Sequence, residues 1–144
     1  MRIYLAGPLF TPYERRFLDE VAAALRAAGI DVFVPHEQQL PPEGRTPSAI
    51  YATDRAGIAA ADALVAVLDG PSVDDGTAVE IGLFTGLMAA DPAKRGVLGL
   101  MTDMRLLDGL GRQPLNLFLA GCIEASGRVC TSVEEILAEL DRWR

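Results

Sequence analysis

The 144-residue sequence has little of what metal, redox and nucleic-acid sites are built from. It holds one histidine and two cysteines, Cys122 and Cys130, and neither cysteine lies in a CxxC pair. A zinc site or a disulfide framework is therefore not expected, because both need clustered ligands or several cysteines. No run of lysine and arginine occurs, and the net charge is −7. A groove for a nucleic-acid polymer is not expected either, since binding a polyanion needs clustered cations.

Long hydrophobic runs are also missing. The segment before Gly7 and Pro8 holds only a few apolar residues, which is too short for a signal peptide or a membrane span. We therefore expect a soluble, cytoplasmic protein with no membrane partner. Hydrophobic residues make up 50% and charged residues 23% of the chain, the balance of an ordinary globular protein. The length suits a single domain over residues 1–144.

Short apolar runs alternate with helical patterns along the chain. The apolar runs predict strands at about 2–6, 30–34, 63–68, 96–101 and 128–131. Apolar periodicity predicts helices at about 12–28, 48–60, 77–89, 115–124 and 133–143. This alternation predicts an α/β fold of three layers, doubly wound, with a mainly parallel five-stranded sheet in flavodoxin-like order.

Helix starts and loops carry their own signals. Thr11 with Glu14, and Ser132 with Glu135, have the spacing of capping boxes. Asp75 is favoured over its neighbour Asp74 as the cap of the third helix. Residues 35–47 hold four prolines and one glycine, which predicts a long loop of the kind that often serves as a lid. Residues 103–113 predict a second loop.

The fold indicates where a ligand would bind. In open parallel sheets, ligands bind outside the carboxyl ends of the strands, beside the topological switch point. This rule selects the loops after Ala6 and Leu68. The first loop lacks GxGxxG, and Pro8 removes an amide that could bind phosphate, so a dinucleotide site is disfavoured. Tyr4 and Phe10, at the ends of that loop, suit a planar base or a sugar face; the alternative places both in the core.

Glu80 is the strongest candidate near the second loop. It lies about one turn into a helix of small and apolar residues, and Leu83 and Phe84 follow on the same helix face. Its side chain is expected to point inward, where an ionised carboxylate is costly unless it is hydrogen-bonded or near the helix N-terminus. Buried carboxylates without a cationic partner are candidate functional groups. Position alone also allows an acid that merely complements the helix dipole.

Other polar residues leave alternatives open. Asp54 lies on the preceding helix, where a solvated helix face is its simplest interpretation. His36 follows the second strand and could act as an acid or a stacking ring, but no GxSxG motif accompanies it. Arg15 and Arg16 could reach a phosphate or could form a solvated helix face.

The set of motifs resembles the nucleoside 2-deoxyribosyltransferase family, and the resemblance spans nearly the whole chain. Its most specific part is the segment 74–82. The motifs that carry it are Tyr4-Leu5-Ala6-Gly7-Pro8-Leu9-Phe10, Asp54 with Gly57-Ile58 and Ala61-Asp62, Asp69-Gly70, Asp74-x-Gly76-Thr77-Ala78-x-Glu80-Ile81-Gly82, Thr102-Asp103-x-Arg105 and Leu115-Asn116-Leu117.

The resemblance implies an enzyme that cleaves the N-glycosidic bond of 2′-deoxyribonucleosides and transfers the deoxyribose to another nucleobase, without cofactor or metal. Glu80 would attack C1′ and form a covalent deoxyribosyl-enzyme, as in retaining glycosidases. Tyr4 would orient Glu80. Asp54 would contact the base and carry a proton to it, because a neutral base leaves more easily than an anion.

Four further residues are implied as substrate-binding: Gly7, Phe10, Asp74 and Asn116. Asp74 would hold the sugar hydroxyls, and its charge would repel a 5′-phosphate, which implies a free 5′-hydroxyl. Asn116 would complete the site of a neighbouring subunit, which implies a homo-oligomer. The implied partners are nucleosides and free nucleobases. Two alternatives stay open: a hydrolase of nucleosides or nucleoside 5′-monophosphates, and a non-catalytic nucleotide-sensing module.

Overall fold

Apolar strands separated by amphipathic helices fold here into one parallel sheet. The computed structural model describes residues 1–38, 41–103, 105 and 115–144, except for the side chain of Glu43. The strands in these ranges are β1 (Arg2–Ala6), β2 (Asp31–Phe33), β3 (Ala63–Val67), β4 (Gly96–Leu100) and β5 (Arg128–Cys130). The α-helices are α1 (Pro12–Ala27), α2 (Pro47–Ala60), α3 (Asp75–Met88), α4 (Leu117–Glu124) and α5 (Val133–Arg142).

The strand order is β2-β1-β3-β4-β5, and all four neighbouring pairs run parallel. The expected three-layer α/β fold with flavodoxin-like order is confirmed. Because the chain crosses from β2 back past β1 to β3, the switch point lies between β1 and β3. Tyr4 pairs with Phe33 of β2 and with Leu64 of β3, so it lies in the middle of this region.

The side chains of β1 alternate between two hydrophobic cores, as the period of a strand requires. Ile3 and Leu5 pack with the residues of α1 and α5 on one side of the sheet. Tyr4 and Ala6 pack on the other side, with the residues of α2, α3 and α4. Strand β3 is buried along its whole length because both faces of the sheet are covered.

The first capping box is confirmed. The Thr11 hydroxyl accepts a hydrogen bond from the Glu14 amide, and the Glu14 carboxylate accepts one from the Thr11 amide. The second box is only half formed, because the Glu135 carboxylate accepts from Thr131 and not from the Ser132 amide.

The prediction that Asp75 caps α3 is wrong. Asp74 caps the helix, and its carboxylate accepts from the Thr77 amide, while Asp75 is already the first helical residue. The backbone of Asp74 is still outside the helical region, with ψ at 139°, which allows its side chain to turn back onto the helix. Helix α3 therefore begins two residues earlier than expected.

Two short 3-10 turns, Pro35–Glu37 and Pro42–Gly44, occupy part of the predicted 35–47 loop. Each begins with a proline, whose fixed φ suits the first position of such a turn. Most of the predicted 103–113 loop lies outside the described residues. No helix within the described ranges is long and apolar enough to cross a membrane.

Candidate active site

Helices α2 and α3 face each other across a cleft of about 340 Å³, a volume in the range of small-molecule sites. Each helix contributes residues at i, i+3, i+4 and i+7, the spacing that places side chains on one helical face. The lining residues are Tyr51, Asp54, Arg55 and Ile58 from α2, and Asp75, Gly76, Val79, Glu80 and Leu83 from α3.

Glu80 and Tyr4 meet at this cleft, although they are 76 residues apart in the chain. The Tyr4 hydroxyl donates a hydrogen bond of 2.5 Å to Oε1 of Glu80. The Tyr4 ring is fully buried and stacks on Phe33, with ring centroids 5.3 Å apart. Gly57 of α2 packs against Phe33 so closely that a Cβ at position 57 would lie 2.7 Å from the ring. The position of the Tyr4 hydroxyl is therefore set by packing on two sides.

The surroundings of Glu80 disfavour its ionised form. Burial raises the pKa of Glu80 to about 7, the charges of Asp54 and Asp74 add to this rise, and the hydrogen bond from Tyr4 opposes it. Burial and the charge of Glu80 also raise the pKa of Tyr4, so the phenol remains a donor. Near neutral pH Glu80 is thus a carboxyl group poised between its two forms, next to a fixed hydrogen-bond donor.

Asp54 lies in the same cleft and is half-buried, rather than lying on a solvated helix face. Burial raises the pKa of its carboxyl group. No salt bridge involves Asp54 or Glu80 within the described residues. Two carboxyl groups without cationic partners therefore share one cleft, and such pairs can divide acid and nucleophile roles between them.

Asp74 does not itself line the cleft, and its carboxylate caps α3. Its Oδ2 accepts hydrogen bonds from the amide of Thr77 at 2.9 Å and from the hydroxyl of Thr77 at 3.2 Å. It is close enough for its charge to raise the pKa of Glu80. Its neighbour Asp75 is among the residues that line the cleft.

Gly7 and Phe10 do not line the cleft between α2 and α3. A Cβ at position 7 would lie 2.7 Å from the Leu18 side chain and 3.1 Å from Val67, so the packing after β1 favours glycine there. Phe10 is 80% exposed, which contradicts the alternative that it belongs to the core. The Tyr4 ring does belong to the core, as that alternative expects, while the Tyr4 hydroxyl reaches Glu80.

Asn116 also lies outside the cleft. Its side-chain oxygen caps α4 by accepting from the amides of Phe118 at 2.9 Å and Leu119 at 3.3 Å. The side chains after it are exposed, 70% for Leu117 and 83% for Phe118. The start of α4 is therefore an apolar surface with a polar cap beside it.

The motif Thr102-Asp103-x-Arg105 forms hydrogen bonds with the loop that follows β3. Asp69 accepts hydrogen bonds from the amide and the hydroxyl of Thr102, and Asp103 accepts one from the amide of Gly70. Arg105 forms a salt bridge of 2.9 Å with Asp103. These contacts join the ends of β3 and β4, on the edge of the sheet from which α3 begins.

The remaining candidates lie elsewhere. His36 pairs with Asp19 of α1 at 2.7 Å. Arg15 donates to the carbonyl of Leu9, and the guanidinium of Arg16 lies 5.2 Å from the centre of the Tyr13 ring. None of them lines the cleft. Over the described ranges, no group of three or more His, Cys, Asp or Glu residues could hold a metal ion.

Three polar or aromatic lining residues, Tyr51, Arg55 and Asp75, were not among the site residues predicted from the sequence. The first two share with Asp54 and Ile58 the spacing of one helix face, which was visible in the sequence. The signal was concealed because a face that mixes tyrosine, aspartate, arginine and isoleucine does not stand out as apolar or polar.

A family model for nucleoside 2-deoxyribosyltransferases matches residues 3–133. An uncharacterised protein of Ureaplasma parvum serovar 3 is 30% identical, covering 97% of this chain and 94% of its own length. The crystal structure of a conserved protein from Enterococcus faecalis V583 is 29% identical, with a TM-score of 0.82, and the match covers 99% of this chain and 98% of the other.

Two more distant structures share the fold. A 2-deoxyribosyltransferase of Bacillus psychrosaccharolyticus has a TM-score of 0.70 at 23% identity, covering 95% of this chain and 90% of the other. A CMP N-glycosidase of Clostridium botulinum has a TM-score of 0.61 at 18% identity, and both chains are fully covered. One fold is thus shared with a protein named a 2-deoxyribosyltransferase and with a protein named an N-glycosidase.

Proposed function

Because the chain belongs to the nucleoside 2-deoxyribosyltransferase family, we propose that it transfers deoxyribose between nucleobases through a covalent intermediate on Glu80. The observation that carries this proposal is the hydrogen bond of 2.5 Å from Tyr4 to Glu80, at a cleft of suitable volume. A carboxyl group held by a single donor keeps its second oxygen available to attack a sugar carbon.

In the first half of the reaction, an oxygen of ionised Glu80 forms a bond to C1′ while the bond from C1′ to the base nitrogen breaks. The electron pair of the broken bond goes to the base, and Asp54 gives the base a proton. Burial raises the pKa of Asp54, which favours the protonated form needed for this step. In the second half, a nitrogen of the incoming base attacks C1′, Glu80 leaves as a carboxylate, and the proton returns to Asp54.

Tyr4 acts on Glu80 and not on the sugar. Its hydroxyl donates to the same carboxylate that attacks in the first half and leaves in the second. A hydrogen bond to a carboxylate is stronger than one to the neutral ester formed in between. Tyr4 is therefore a positioning residue that also stabilises the leaving form of Glu80.

Asp74 is proposed to hold a hydroxyl of the sugar. Its Oδ2 serves the helix cap, which leaves Oδ1 for a ligand. Asp54, Asp75 and Glu80 are further carboxyl groups at the cleft. A dianionic 5′-phosphate near these groups would be repelled, so the proposed substrate has a free 5′-hydroxyl.

The decisive experiment incubates the protein with deoxyinosine and free adenine and separates the products by chromatography. Transfer predicts deoxyadenosine, whereas a hydrolase releases hypoxanthine and free deoxyribose. Glu80→Gln should form neither product, and Glu124→Gln, an exposed acid on α4, should behave as the wild type. Intact-protein mass spectrometry of a quenched reaction should show the protein with one deoxyribosyl group attached.

The hydrolase is the second candidate, because water could reach the intermediate as readily as a base in an open cleft. A nucleotide-sensing module is the third. It predicts that Glu80→Gln binds nucleosides as the wild type does and that the wild type releases no base from any of them. Turnover that disappears with Glu80→Gln excludes the sensing module.

The proposed enzyme is a homo-oligomer in which Asn116 completes the site of a neighbour. The support is the exposed apolar surface of Leu117 and Phe118, together with Val79, which lines the cleft yet is 70% exposed. Large exposed apolar side chains favour association.

The test mixes two inactive variants, Asn116→Ala and Glu80→Ala, after dissociation and reassembly. Recovery of activity supports a shared site, and its absence in a mixture that forms hetero-oligomers refutes it.

A further inference from the structure

Arg55 is a cation in the cleft that has no partner of its own. Arg55 lines the cleft together with Asp54, Asp75 and Glu80. Within the described part of the chain, its side chain makes no hydrogen bond or ion pair, although three carboxyl groups line the same cleft. A guanidinium with five donors and no acceptor is thus available to a ligand there.

Most other arginine side chains in the described ranges have a partner. Ion pairs join Arg2 to Asp31, Arg26 to Glu37, Arg105 to Asp103, Arg128 to Glu139, Arg142 to Glu139 and Arg144 to Asp141. Arg15, Arg16 and Arg45 also have partners. Arg95, which is exposed and outside the cleft, is the other described arginine whose side chain has none. Arg95 therefore offers a matched control for Arg55.

The charge of the cleft decides what Arg55 can bind. Phosphate is the common ligand of a free guanidinium. Here, however, Arg55 stands in one cleft with Asp75 and Glu80, whose carboxyl groups offset its charge even when Asp54 is protonated, so a dianion gains no net attraction. A neutral group with an exposed acceptor is not repelled by those carboxyl groups, and the carbonyl oxygen of a nucleobase is such a group.

The neighbouring donor narrows the choice of base. Asp54 and Arg55 are consecutive residues that line one cleft. Burial raises the pKa of Asp54, which favours its protonated form, and that form can donate a hydrogen bond to a ligand that Arg55 also contacts. Purines with a carbonyl at position 6 display two adjacent acceptors, O6 and N7, whereas adenine carries an amino donor at position 6. Tyr51, one turn earlier on α2, exposes its ring to the same cleft and can stack on the base.

We propose that Arg55 and Asp54 together recognise the O6 and N7 edge of a purine, so that the preferred substrates are 2′-deoxyribonucleosides of 6-oxopurines. This specificity rests on the proposed function. Arg55 donates to O6, while Asp54 gives its proton to N7 as the base leaves. With adenine, the amino group would face the donors of Arg55, and neither group could accept from the other.

The test measures kcat/KM for base release from deoxyinosine and deoxyadenosine, at one fixed concentration of the same acceptor base, with the wild type, Arg55→Met and Arg95→Met. Losing a hydrogen bond to a charged donor predicts that Arg55→Met falls about 10- to 100-fold on deoxyinosine and stays within about threefold on deoxyadenosine. Arg95→Met should match the wild type on both. An equal loss on both substrates, or no loss on deoxyinosine, overturns the proposal.

A binding experiment separates this proposal from the proposed function. Titration calorimetry compares Glu80→Gln with the double variant Glu80→Gln, Arg55→Met, using deoxyinosine, deoxyadenosine and deoxyinosine 5′-monophosphate. If the wild type releases no base from any nucleoside, the proposed function fails. A preference for deoxyinosine that is lost with Arg55 would still support the specificity. A loss of affinity confined to the monophosphate would make Arg55 a phosphate ligand and overturn it.

Discussion

Replacing Glu80 with glutamine should make the folded protein more stable at alkaline pH while it abolishes turnover. Glutamine keeps an oxygen that can accept from the Tyr4 hydroxyl, so the 2.5 Å hydrogen bond has a neutral equivalent. The main difference is the charge. In the folded protein, burial raises the pKa of Glu80 from an ordinary value of 4.5 to about 7.

The size and sign of the effect follow from linkage. An acid whose pKa is raised by folding contributes stability that is fully present below its unfolded pKa and is lost as the pH rises through its folded pKa. For Glu80 the window runs from 4.5 to about 7. Above that window, an increase of this size corresponds to at most about 3 kcal/mol of lost stability, because part of the charge remains solvated. The neutral glutamine avoids this loss.

The assay is urea denaturation of the wild type and Glu80→Gln at several pH values and a fixed protein concentration. The difference in unfolding free energy should be near zero at about pH 4.5 and reach up to about 3 kcal/mol at about pH 8, equivalent to a midpoint shift of roughly 1 to 2 M urea. Glu124→Gln, an exposed acid, should show no such trend. A difference that stays constant from acid to alkaline pH would refute the reasoning, because it would mean that Glu80 ionises as freely in the folded as in the unfolded chain.

Two further predictions concern the contacts that hold Glu80. Tyr4→Phe removes the hydrogen bond that lowers the pKa of Glu80. In the pH profile of kcat/KM, the acid limb is expected near pH 7 in the wild type and should move up by about one pH unit in the variant. An unchanged acid limb would count against the role of Tyr4. Gly57→Ala places a Cβ 2.7 Å from the Phe33 ring that stacks on Tyr4, so kcat should fall about 10- to 100-fold. Gly86→Ala on α3, whose Cβ would meet nothing within 4 Å, should leave kcat unchanged, and equal rates in the two glycine variants would contradict this.

The fold was predictable because its signal is repeated along the chain. Each strand is an apolar run and each helix has apolar periodicity, so errors at single positions do not change the order of elements. The prediction of Asp75 as the cap of α3 was wrong for a local reason. Asp74 and Asp75 can both cap a helix, and the choice depends on which residue first adopts helical angles, which composition does not reveal.

The site was predictable only where a rule converts sequence position into spatial position. The switch-point rule selects the end of β1 and the loop after β3, and Tyr4 and Glu80 lie next to these places. The packing of Phe33 between Tyr4 and Gly57 follows no such rule, because it depends on the distance between β2 and α2. Arg55 could have been found from its position beside Asp54 on α2, but only by asking which face of that helix meets α3.

The electrostatics of the cleft argue for function more strongly than any single residue does. Asp54, Asp74 and Glu80 are close enough for the first and second to raise the pKa of the third. A protein selected for stability alone would pair these carboxyl groups with cations or replace them, because buried charges without partners destabilise the fold. Cations such as Arg26 and Arg128 instead pair with acids outside the cleft, and Arg55 stays unpaired within the cleft. An arrangement that destabilises the folded protein yet leaves two carboxyl groups and one cation available to a ligand is what the proposed cleavage of an N-glycosidic bond would require.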